Sequence, residues 1–243
     1  KWTFSLLIGT LLSCPQAGLA DALHVITGTT ETQADETATG DTHVYQSNGT
    51  PFSFSNNHTL TSQNGYVLHL HGTDPLPGTN ITNSGNMLVS GTGLSAGYGI
   101  FSTVYRGRPV SANIYNDGTI ERIQLKETDG SSLRNNGTVG GTVLIGDNAY
   151  ITNQGSMINK TTGDNDENLI SFGKNGVLNN GGIYFATQIG DDVYDELPST
   201  NHTITTDKLV FTQNGIIHNG GTIRNNSIEM GDQAYIHNYM SPY

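Results

Sequence analysis

Three stretches of the 243-residue chain hold residue types that can do chemistry. "GLSAG" (93–97) fits G-x-S-x-G, a turn that would present Ser95 to attack a carbonyl. That turn needs a buried strand before the serine and a helix after it. Here "SGTG" precedes and "YGIFS" follows, with no alternating helices to build such a sheet, so a Gly-rich coil or loop is the better reading. "GDNDEN" (163–168) sets Asp164, Asp166 and Asn168 at alternate positions, as a calcium loop does. It lacks the turn glycine after Asn168, and Asn175 stands where a bidentate glutamate belongs. A solvated acidic insertion fits better, and "DDVYDE" (191–196), which includes Asp191, is a second one. His69 and His71 can share a strand face as a metal-binding pair, but no third ligand is near them in sequence. The sequons at Asn136 and Asn201 are by-products of a chain rich in Asn, Gly and Thr. The sequence thus predicts no catalytic residue, cofactor or metal.

Composition limits what could position such groups. Apolar residues are 34% of the chain, too few for a thick globular core but enough for a narrow one shared along a rod. The chain has 31 Gly, 25 Asn and 7 Pro. Glycine and asparagine tolerate left-handed turns. The net charge of −11, with only 10 Lys plus Arg, repels phosphate backbones and argues against nucleic acid as a partner. The single cysteine, Cys14, lies in the N-terminal apolar segment, so stability must come from stacking and burial rather than disulfides.

Residues 1–20 carry Lys1, an apolar run from Phe4 to Leu12 and small residues at Gly18 and Ala20, the build of a secretory signal peptide. Cleavage is expected between Ala20 and Asp21, or after Ala22. "LLSC" (11–14) also resembles a lipobox with Cys14 as acyl acceptor, although Pro15 favours simple cleavage. Residues 21–43, acidic and Thr-rich from 27 onward, suit a solvated leader or a weakly ordered first coil.

From residue 44 to 243 the pattern becomes short alternating runs broken by Asn-Gly, Gly-Thr and Asn-Asn, which read as strands. A phrase recurs there: apolar–x–Asn–x–Gly–x–apolar. It places Asn83 with Gly85, Asn116 with Gly118, Asn135 with Gly137, Asn153 with Gly155, Asn179 with Gly181, and Asn219 with Gly221. The spacings suggest a step near 19, with the final 40 as two steps and the first 33 as two short steps or one with an insertion. "IGDNAYITN" (145–153) and "MGDQAYIHN" (230–238) echo one another, as do "NGVLNNGG" (175–182) and "NGIIHNGG" (214–221). The last echo pairs Asn180, not Asn179, with Asn219, leaving the register there open.

A repeat of this kind suits an all-β, right-handed parallel β-helix with coils of about 19 residues. Alternate side chains point inward, and stacked asparagines can hydrogen-bond along the rod. The glycine two places on removes a Cβ where a neighbouring coil comes close. The alternative is an antiparallel sandwich or barrel, in which Asn-Gly marks hairpin turns.

Phrases such as "IYNDGTIERIQL" and "IIHNGGTIRNNSIEMGDQAYIHN" resemble the passenger domains of bacterial autotransporters, most clearly over residues 80–243. The resemblance implies a β-helical stalk, often adhesive, carried to the cell surface by a C-terminal outer-membrane β-barrel. The Gly-Asp-Ser-Gly phrase expected of serine-protease passengers is absent, and barrel strands do not occur in these 243 residues. The expected function is therefore a non-catalytic surface passenger whose partner is a glycan or protein of a host or neighbouring cell. The alternative is a glycan-processing β-helix enzyme of the polysaccharide lyase or hydrolase type.

Overall fold

The computed structural model describes residues 22–46, 52–71, 79–90, 97–103, 110–158, 168–181 and 202–238. A lead strand, β1 (His24–Ile26), is followed by a coil of β2 (Thr30–Glu31), β3 (Glu36–Ala38) and β4 (His43–Gln46). The same order repeats as β5 (Ser53–Asn56), β6 (Thr59–Ser62) and β7 (Leu68–His71), then as β8 (Thr79–Asn83), β9 (Asn86–Val89) and β10 (Ile100–Thr103). In the next two coils the second and third strands fuse. These are β11 (Ala112–Asn116) with β12 (Thr119–Asp129), and β13 (Ser132–Asn135) with β14 (Thr138–Asp147). β15 (Tyr150–Asn153), β16 (Ser156–Ile158) and β17 (Leu169–Lys174) return to three strands. β18 (Val177–Asn180) with β19 (Thr203–Gln213), β20 (Ile216–Asn219) with β21 (Thr222–Asp232), and β22 (Tyr235–Asn238) complete the series.

Corresponding strands stack into two sheets. Nine strands order as β2-β5-β8-β11-β13-β15-β18-β20-β22, and thirteen form the second sheet. Every strand pairing among the described residues is parallel, so the fold is a parallel β-helix. The hairpin alternative falls with this. "NG" at 175–176 and 214–215 turns the chain from the larger sheet into the nine-stranded one. Residues 24–46 already carry β1 to β4, paired with the strands that follow.

Each strand follows the two-residue period of a pleat with one buried side. In β11, Ala112, Ile114 and Asn116 face inward while Asn113 and Tyr115 face out. Parallel register then aligns equal positions into columns. In the nine-stranded sheet Phe54, Ile81, Ile114, Leu133, Ile151, Leu178 and Ile217 form one such column, all essentially buried. Fully burying one aliphatic side chain is worth roughly 1.5–3 kcal/mol, and no single coil could bury its row alone.

Coil length varies more than the expected 19. Ladder positions lie 33 residues apart at Asn83 and Asn116, and 39 apart at Asn180 and Asn219, yet the strands carrying them pair directly. Each interval is therefore one coil, and the reading of the last as two steps is corrected.

Candidate functional site

The repeated asparagines form a polar spine inside the rod. Asn56 donates its amide Nδ2–H to Asn83 Oδ1 at 2.8 Å, and Asn83 donates likewise to Asn116 at 2.8 Å. The chain of bonds continues from Asn116 to Asn135 at 2.7 Å, to Asn153 at 2.8 Å and to Asn180 at 2.8 Å. Asn180 donates to Asn219 at 2.9 Å, and Asn219 to Asn238 at 3.2 Å. At the other end the Thr32 hydroxyl donates to Asn56 Oδ1 at 2.9 Å. A carboxamide carries an acceptor and two N–H donors on one short side chain, enough to pass the chain on and still reach a backbone carbonyl. From Asn56 to Asn180 these residues are fully buried, so their bonds replace water that cannot reach the amides.

From Asn56 to Asn153 each ladder amide also contacts the carbonyl two residues on, as Asn83 does with Gly85 O at 3.1 Å and Asn135 with Gly137 O at 3.3 Å. That turn brings the glycine against the coil before it. A Cβ added at Gly118, Gly137 or Gly155 would collide with the backbone oxygen of Gly85, Gly118 or Gly137 respectively. Gly85 is pressed against His58 in the same way, and Gly221 against His202.

Two ladder assignments from the sequence are corrected. Asn180, not Asn179, stands between Asn153 and Asn219, and Leu178, not Val177, pairs with Ile151 in the core column. Slipping a strand by one residue would turn Leu178 outward, so burial sets the register. Gly181 then follows the ladder residue directly, with φ of 59°, and donates its N–H to Asn153 O. The spine also takes in Asn56 and Asn238, which the phrase missed: "SNNHT" carries no glycine, and the phrase breaks off after Asn238.

The left-handed conformation falls on a different set of asparagines. Asn148, Asn175 and Asn214 have φ of 51°, 56° and 52° at the corner leading into the nine-stranded sheet. They form a second, exposed ladder. Asn148 donates to Asp129 at 2.7 Å, Asn175 to Asn148 at 2.8 Å and Asn214 to Asn175 at 2.9 Å. Asn175 is thus a corner residue in the place a calcium loop would give to glutamate. Asn168 is buried, and its backbone N–H and side-chain amide both reach Asp207 Oδ2, at 2.9 and 3.2 Å. Ser95, Asp164, Asp166, Asp191, Asn201, Cys14, Ala20 and Asp21 lie outside the described residues.

His69 and His71 do share a strand, with rings 5.7 Å apart, but His69 is engaged on both sides. Its Nδ1 contacts Asp41 Oδ2 at 2.8 Å and its Nε2 contacts the Thr103 hydroxyl. Around it stand Tyr66 and Phe101, stacked 4.0 Å apart, with Tyr98 beside them. Burial, reinforced by His69, lowers the pKa of His71 below the ordinary histidine value despite Asp41. Together these side chains make a half-buried aromatic strip on the outside of the larger sheet.

A second histidine cluster was not legible in the sequence. His24 on β1, Glu36 on β3 and His43 on β4 bring their ligand-type atoms within 4.8 Å of one another. His24 Nε2 lies 3.0 Å from Glu36 Oε1, and His43 Nε2 lies 3.8 Å from Glu36 Oε2. The His24 and His43 rings pack 4.8 Å apart, and Phe54 meets His43 edge-to-face with ring centres 5.2 Å apart. Burial lowers the His43 pKa to about 4; Glu36 opposes that shift and His24 adds to it.

Comparison of the chain with protein-family models, curated proteins and solved structures gives no match.

Proposed function

We propose that the chain is the stalk-like passenger of an exported, surface-displayed protein of the autotransporter type, adhesive or structural and without catalysis of its own. The observation that carries this reading is the unbroken asparagine spine from Asn56 to Asn238. Its repeated polar groups are spent on stacking one coil upon the next. They face other amides inside the rod rather than a cleft, where catalytic groups must meet substrate. Such a rod holds its outer faces at fixed spacing, so weak contacts along it can add through multivalency.

On this reading residues 1–20 direct export and are removed before Asp21, and a C-terminal outer-membrane barrel supplied by the parent protein anchors the stalk. The partner is a glycan or protein on a host or neighbouring cell. The Tyr66–Phe101–Tyr98 strip, with a flat apolar face and polar tips, offers it a contact surface. Two measurements on the purified chain test the proposal. Binding to cells or matrix should be saturable, unchanged by Ser95→Ala and Asp164→Asn, and weakened by Tyr66→Ala. A broad glycan and ester substrate screen should show no turnover; turnover abolished by Ser95→Ala or Asp164→Asn would replace the stalk with an enzyme.

A further inference from the structure

The core columns change character at one end of the rod. The column that reads Leu68, Ile100, Ile123, Val143, Ile170 and Leu209 through successive coils begins with His24 and His43. A neighbouring column of Leu60, Met87, Ile120, Val139, Met157 and Ile204 begins with Glu36. Three positions that are aliphatic in the coils beyond thus carry two imidazoles and a carboxylate where the columns start, and they converge.

A polar rim at the end of a rod would need only side chains turned to water. His43 is not turned to water: its side chain is 4% exposed, beneath His24 at 45%. Its Nδ1 and the Glu36 Oε2 atom are buried, with no hydrogen-bond partner among the described residues. Burying such groups without partners is costly, and an aliphatic side chain would avoid the cost. What the aliphatic residues cannot supply is a set of ligands.

We propose that His24, Glu36 and His43 bind one divalent transition-metal cation of the zinc class, closing the first-coil end of the core. Two imidazole nitrogens and one carboxylate suit zinc, cobalt or nickel, whereas calcium and magnesium require all-oxygen shells. Tetrahedral zinc holds neighbouring ligand atoms about 3.4 Å apart, as follows from bonds of about 2.0–2.1 Å. The separations of 3.0 and 3.8 Å, to the two oxygens of Glu36, lie on either side of that value, and all three ligand-type atoms fall within 4.8 Å of one another, so modest side-chain shifts would bring them into one shell. Water would fill the fourth position from the open side, beside exposed His24. The ion would join the lead strand to two faces of the first coil.

Cobalt(II) titration of the full chain in metal-free buffer tests this. Visible d–d absorption should saturate at one equivalent and be displaced by zinc. Removing a ligand should weaken binding by at least about tenfold in both His24→Ala and Glu36→Gln. His24 is exposed at the end of β1, so its removal leaves the coils folded, and circular dichroism verifies that. His71→Ala should bind as the unsubstituted chain does, and zinc should raise the thermal midpoint only where all three ligands are present. The absence of saturable binding, or binding by His24→Ala and Glu36→Gln as tight as by the unsubstituted chain, overturns the proposal. Binding lost in His71→Ala alone would place the metal on the aromatic strip and overturn it as well.

Discussion

Replacing Asn135 by alanine tests whether the spine holds the coils together. Asn135 is fully buried, accepts from Asn116 Nδ2 at 2.7 Å and donates to Asn153 Oδ1 at 2.8 Å and Ser156 O at 3.1 Å. Truncation does not strand Asn116, because its amide keeps Thr138 O at 3.0 Å and Gly118 O at 3.2 Å. Asn153 Oδ1 loses the Asn135 donor inside the rod, at about 1–3 kcal/mol. The vacated volume adds roughly 1 kcal/mol, giving about 2–4 kcal/mol in all. Asn135→Asp preserves shape but cannot donate, and it sets a carboxylate against three acceptors: Asn153 Oδ1, Gly137 O and Ser156 O. It should therefore be worse than alanine at neutral pH. Asn148→Gly is the control, since glycine keeps the left-handed φ of 51° and the two lost bonds, to Asp129 and from Asn175, are exposed; its cost should stay within about 0.5 kcal/mol. Urea unfolding followed by circular dichroism gives the magnitudes. Amide exchange should show the loss concentrated in the strands on either side of β13, because each coil touches only its neighbours. If Asn135→Asp equals the unsubstituted chain, or Asn135→Ala costs no more than Asn148→Gly, the spine is ornamental and the argument fails.

Gly155→Val should cost more than either asparagine change, because its Cβ would strike the Gly137 carbonyl and two backbones would have to separate. Gly140→Ala, whose Cβ would find only Glu121 Cγ at 3.9 Å, should be neutral within about 0.5 kcal/mol in the same unfolding assay. Acid should loosen the first coil through His43, whose pKa is lowered to about 4 by burial. The unfolded chain takes up a proton near pH 6.5 and the folded chain only near 4, so this stability is whole above 6.5 and declines as pH falls between the two. The full loss is about 3 kcal/mol, and His43→Leu in metal-free buffer should remove it; equal pH slopes for both chains would refute that assignment.

The strands and the spine were legible because both are written locally. A pleat repeats every two residues, and a buried amide stack demands the same residue in every coil, so alternation and the Asn-x-Gly phrase survive on the page without knowledge of the winding. Register across long coils was not legible in the same way. Between Asn180 and Asn219 the interval is 39 residues, and the choice between Asn179 and Asn180 rests on which of Val177 and Leu178 faces the core, which local spacing cannot decide. Two of the three left-handed asparagines, Asn175 and Asn214, were hidden by a resemblance. "NG" at 175–176 and 214–215 carries a hairpin's turn chemistry, and only the strand that follows reveals a corner between parallel sheets.

The histidine–glutamate cluster lay furthest from view, and the reason bears on how any solenoid should be searched for sites. His24, Glu36 and His43 are separated by 12 and 7 residues, so no single helix face, strand face or turn holds all three. They meet because β1 and β4 stack one coil apart while β3 lies on the adjoining face of the same coil. Ligand sets in such a rod are columns read across coils, and coil length runs here from 18 to 39 residues, so no fixed offset can reveal them. What can reveal them is a polar residue in a column that is otherwise aliphatic. Among the described residues, the columns of Leu68 and Leu60 change to histidine and glutamate together, at one end, where a cation could enter from water and the unshared edge of the core most needs closing.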